Sequence, residues 1–100
     1  MELTNWKNVN GDSIRGNCKC GSWKKHWLNF SGEKVWPSSC SVDGCKNTPE
    51  DGAHIRNSNV EGEWIVPMCK SCNQRTDAFD LKSSVKFASA NTSKTCKRNG

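Results

Sequence analysis

No stretch of this 100-residue chain approaches the apolar length of a membrane-spanning helix, so a membrane partner is not expected. Apolar residues make up only 33% of it and the mean hydropathy is −0.83, so burial alone is marginal for holding a domain of this size together. The opening residues, MELTNWKNVNGD, are polar and lack the apolar core of a signal peptide. The expectation is therefore a soluble, cytoplasmic protein in a reducing compartment. There is no long-period repeat and no low-complexity block, which suits a single domain over residues 1–100. A Gly-x-Cys-x-Gly nucleophile signature is also missing, which argues against a hydrolase built on a reactive cysteine beside His26 or His54.

What the chain does have is seven cysteines. An odd count leaves one unpaired under a disulfide scheme, and a reducing compartment favours thiolate–metal ligation. Cys40 and Cys45 form a C-x4-C pair in CSVDGC, and Cys69 and Cys72 form a C-x2-C pair in PMCKSCN. Gly44 and Pro67 suit the tight turns that aim both sulfurs of a pair at one point. Four thiolates so arranged close a tetrahedral Zn2+ site; two disulfides or unligated buried thiols are the alternatives. Cys18, Cys20 and Cys96 remain, and His54 completes a second zinc set of three thiolates and one imidazole, with His26 as the other choice of ligand. His26 also reads as a plain surface helix residue, and His54 as a satisfied core histidine.

Taken in order, residues 1–16 predict one or two short strands around an Asn10-Gly11 turn. Ser22 caps a short helix on which Trp23, Trp27 and Phe30 share a face. That stripe is read as core, the rival being rings exposed for stacking against bases. A strand holding His54 and Ile55, a loop at residues 57–59 and a strand over Glu63–Met68 make a hairpin. Cys72 is expected to open a helix running to about Asp80, and a last short strand falls near Val85–Ala88. A zinc-bound turn, a hairpin and a second zinc-bound turn opening a helix describe an α+β treble clef, the ββα-metal unit, centred on residues 40–80.

The net charge of +5 favours a polyanion such as nucleic acid, or an acidic protein surface, with simple solubility as the plainer account. Lys24, Lys25, Arg56, Lys70, Arg75, Lys97 and Arg98 are the candidate phosphate contacts.

AHI followed by WIVPMCKSCN resembles the HNH nuclease superfamily, whose active site sits on a treble clef with zinc knuckles at the places of Cys40/Cys45 and Cys69/Cys72. The resemblance implies that His54 is the general base and Asn73 a ligand of a catalytic Mg2+ or Mn2+. It departs at Ala53, where the family has an acidic residue, and at Trp64, where it has an asparagine. Ala53 offers no hard oxygen ligand, so Glu50, Asp51, Asn57, Asn59 or Asp77 would have to replace it. The expectation is a degenerate, non-catalytic HNH-like module, monomeric, binding nucleic acid or a nucleic-acid-associated protein. A metal-dependent endonuclease and a small protein-interaction or inhibitor module are the alternatives.

Overall fold

A computed structural model describes residues 1–9, 21–91 and 95. Its elements run β1 (Lys7–Asn8), α1 (Trp23–Phe30), β2 (Asp51–Asn57), β3 (Val60–Met68), α2 (Lys70–Asn73) and β4 (Ala88–Ser89). The strands form one antiparallel sheet in the order β1-β2-β3-β4.

The β2–β3 hairpin is its centre, with His54 opposite Ile65 and Arg56 opposite Glu63. At its tip the register shifts between Arg56 and Asn57. Asn57 holds that turn with both ends of its amide: Oδ1 accepts from the Asn59 N–H at 2.8 Å, and Nδ2 donates to the Thr4 carbonyl at 2.7 Å. An asparagine that mimics a backbone turn is a local device, and here it also ties down the N-terminal segment.

Residues 53–55 and 65–68 are buried without alternation, because both faces of the hairpin are covered. On one face Ala53, Ile55, Val66 and Met68 pack with Trp6, Val42, Phe79, Leu81 and the cysteines. Trp6 is fully buried, and truncating a ring so placed costs about 3–5 kcal/mol. On the other face Ile65 and Ala88 pack with Trp27 of α1. Gly52 lets α1 approach: a Cβ there would lie 2.5 Å from the Trp23 carbonyl carbon.

Ser22 caps α1 as expected, its Oγ accepting from the Lys25 N–H at 3.1 Å. The buried face is nevertheless rotated from the expected stripe. Trp27 is buried, but Phe30 is 38% exposed and His26 is fully buried. His26 is therefore no surface residue. Its Nε2 lies 2.6 Å from the Ser89 carbonyl, a bond to β4 that sequence periodicity does not reveal. Trp27 donates its Nε1–H to the Lys86 carbonyl at 2.9 Å and has no face free for a base.

Near the N-terminus the described residues hold one short strand, β1, which pairs with β2; the expected Asn10-Gly11 turn lies outside the described residues. A further expectation is corrected. The second helix starts at Lys70 and ends at Asn73, well short of Asp80. Its continuation loses to tertiary contacts. Asn8 Nδ2 donates to the carbonyls of Cys72 and Arg75 at 2.9 and 3.0 Å, both of which a helix reaching Asp80 would bond internally. Phe79 then exchanges both backbone bonds with Trp6 at 2.9 Å, and Leu81 donates to the Leu3 carbonyl at 2.7 Å. Buried, extended Phe79 and Leu81 outweigh helix propensity that is weak per residue.

Candidate metal centre

Three segments bring Cys40, Cys45, Cys69 and Cys72 together. The Cys40 N–H donates to the Asn47 carbonyl at 2.8 Å and the Cys45 N–H to the Val42 carbonyl at 3.0 Å, which closes the first turn. Gly44 supplies the left-handed φ of +81° that this turn requires. Residues 41–43 are laid against 80–82 by bonds from Asp43 N to Asp80 O and from Lys82 N to Ser41 O, both 2.9 Å. Cys69 stands at the N-cap of α2 and Cys72 within its single turn.

The four sulfurs all lie within 4.8 Å of one another, and Cys45 and Cys69 are 3.7 Å apart. A tetrahedral ion about 2.3 Å from each thiolate needs sulfurs about 3.8 Å apart, whereas a disulfide needs about 2.05 Å. The cysteines are free thiols, so the arrangement fits one metal ion and not two disulfides.

The surroundings are built for thiolates. The Cys69 N–H points to Cys40 Sγ at 3.3 Å, and Asn47 Nδ2 and Ser71 Oγ lie 3.7 and 3.4 Å from Cys69 Sγ. Burial raises the Cys69 pKa, but the Ser71 hydroxyl, the Cys72 N–H and the Asn47 amide outweigh it and hold the thiol down to about 6. Cys72 is pushed well above the usual thiol range, first by burial and then by Cys69 and Cys40. Burial likewise raises Cys40. Four thiolates this close repel one another, and a divalent cation held by them would supply the compensating charge.

Cys18, Cys20 and Cys96, the thiolates of the expected second set, lie outside the described residues. Both candidate histidines belong to the α1 face. His54 is 6% exposed, with the Trp23 ring 5.5 Å from its own and Glu63 Oε1 2.7 Å from Nε2, off the hydrogen-bonding direction. Asn73 Nδ2 donates to Asp51 Oδ2 at 3.4 Å, and both line a pocket with Glu50, Gly52 and Trp23 at the start of α1, a pocket whose lining does not include His54. Ala53 and Ile55 on either side of His54 pack with the cysteines, while His54 lies against Trp23 of α1, as strand alternation requires. The structure thus brings Asp51, of the possible acidic replacements, to Asn73, and does not bring His54 there. Glu63 was legible only with the hairpin register in hand, because it sits nine residues from His54.

Burial lowers the pKa of both histidines, and at His54 the Glu63 carboxylate opposes this only in part. The folded protein thus binds fewer protons at these sites than the unfolded chain, whose histidines titrate near 6.5. Their contribution to stability should be complete above about pH 6.5 and fall as the pH drops toward the lowered values. NMR titration of the two ring C–H signals checks this; midpoints at or above 6.5 would contradict it.

The expected phosphate contacts are sorted by their neighbours. Arg75 is held by Asp77 through contacts of 3.1 and 2.6 Å and stacks over Phe79, and it pulls the Asp77 carboxyl down to about 2. It is a poor phosphate ligand. Lys24 Nζ sits 4.9 Å above the Trp36 ring. Lys25, Arg56 and Lys70 are exposed, as is Lys7, which the sequence reading passed over. Lys97 and Arg98 lie outside the described residues. Among the described residues, no helix is long and apolar enough to cross a membrane. Comparison with protein-family models, curated proteins and solved structures gives no match, so the four-cysteine centre is the feature from which function must be argued.

Proposed function

We propose that this chain is a zinc-stabilised treble-clef module that binds nucleic acid and carries no nuclease chemistry. The single observation behind it is the cluster of four free thiols at tetrahedral spacing. Zn2+ suits an all-thiolate tetrahedral set, and a closed set without an open position is structural rather than catalytic. The two knuckles flank the β2–β3 hairpin and the second opens α2, the order of parts in a treble clef. Nucleic acid is favoured by the charge of +5 and by exposed Lys7, Lys25, Arg56 and Lys70.

The endonuclease implied by the HNH resemblance would need His54 and Asn73 at one divalent metal. Their separate partners, Glu63 and Trp23 for His54 and Asp51 for Asn73, support the non-catalytic reading instead.

Native mass spectrometry with and without chelator tests the zinc. At least one zinc per chain is expected, lost together with the compact charge-state distribution on chelation. A compact chain that carries no zinc after purification in zinc-containing buffer would end this reading. A second zinc would add Cys18, Cys20 and Cys96, with His54 or His26, to the ligands.

A further inference from the structure

We infer that Lys7 and Arg56 form a phosphate-binding subsite at the β1–β2 edge, the neighbouring Glu63 carboxylate being turned to His54 and paired with neither cation. This deepens the nucleic-acid reading above and rests on it. Lys7 and Arg56 are directly opposite in the β1–β2 register, so their side chains leave the same face about 5 Å apart at their bases. Like charges directly opposite are destabilising, and the sheet offers an obvious remedy. Glu63 is the cross-strand partner of Arg56 on β3. Its carboxylate instead lies 2.7 Å from Nε2 of buried His54.

Three other cations among the described residues are engaged within the protein. Arg75 is paired with Asp77, Lys24 lies over Trp36, and Lys82 Nζ donates to the Cys45 carbonyl at 2.6 Å. Lys7 and Arg56, by contrast, flank an open groove of about 650 Å³ also lined by Asn5, Asn57, Ser58 and, on the His54 side, Glu63. A phosphodiester seated there would separate two like charges with an anion, and its paired oxygens match the fork of the guanidinium. His54 is then a positioning residue. It touches no phosphate, and it acts by holding Glu63.

The test is fluorescence anisotropy with a labelled mixed-sequence DNA duplex over a salt series. Lys7→Ala and Arg56→Ala should each weaken binding about three- to tenfold and lower the slope of log K against log salt by about one. Both side chains are exposed, so an unchanged NMR spectrum should accompany the loss. Glu63→Gln should bind at least as tightly as the wild type. His54→Phe should weaken binding by freeing Glu63 toward Arg56, and adding Glu63→Gln to it should restore affinity, which a merely structural histidine would not allow. Duplex binding with unchanged affinity and slope in both cation variants would overturn the subsite and leave the nucleic-acid reading standing. No salt-dependent binding by the wild type would overturn both. Tighter binding to a poly-glutamate chain than to the duplex would assign the face to an acidic protein and overturn the phosphate assignment.

Discussion

Cys72→Ser should abolish the folded state. The mutant is expected to show a collapsed amide NMR spectrum at a temperature where the wild type is well dispersed, and chelation of the wild type should reproduce it. Structural zinc contributes about 10–16 kcal/mol in small zinc domains, as much as or more than the 5–15 kcal/mol by which whole domains are stable. This chain has little to set against that loss, since its apolar share is 33% and its cysteines are themselves part of the main core cluster. Cys72 is the severest choice because it is buried, lies on α2 and faces Cys40, Cys45 and Cys69 at once. Cys69→Ser should behave alike, with the added loss of the acceptor for Asn47 and Ser71. A dispersed spectrum from either mutant would show that the centre does not hold the fold.

Gly52→Ala is expected to cost about 3 kcal/mol, toward the upper end of overpacking effects, although it adds a single methyl group. The new Cβ would sit 2.5 Å from the Trp23 carbonyl carbon, 2.6 Å from its oxygen and 2.8 Å from the Lys24 nitrogen. All three are backbone atoms, so no side chain can swing aside. Helix α1 would have to lift, taking Trp27 from Ile65 and Ala88 and His26 from the Ser89 carbonyl. Gly32→Ala is the control. Its φ of +88° is strained for alanine, but nothing lies within 4 Å, so about 1 kcal/mol is expected. Denaturant unfolding separates the two; equal costs would mean that close approach at Gly52 is not what seats the helix.

The parts legible in the sequence are those encoded within a few residues. Cysteine spacing and Gly44 announced the two knuckles, Ser22 announced the start of α1, and the apolar run EWIVPM announced the second strand of the hairpin. What escaped depends on partners distant in the chain. The length of α2 is set by Asn8, Trp6 and Leu3. His26 is buried because β4 brings the Ser89 carbonyl to it. The pairings of Glu63 with His54 and of Lys7 with Arg56 follow from strand register, and a one-residue slip would send those side chains to the opposite face. Arg75 looked like a free cation because its partner, Asp77, is neutralising only once α2 has stopped at Asn73.

Among the described residues the sheet ends on both sides in strands of only two residues, β1 and β4. Long, flat outer strands offer a row of unpaired amides on which another chain can add, and very short ones remove that template. The protein thus gains resistance to edge-to-edge aggregation from the same brevity that makes β1 and β4 hard to read in the sequence. That protection is conditional, because the long, apolar β3 is shielded only while β4 and the N-terminal segment stay docked. Loss of the metal should therefore show itself as insolubility as well as unfolding, with β3 as the segment that assembles.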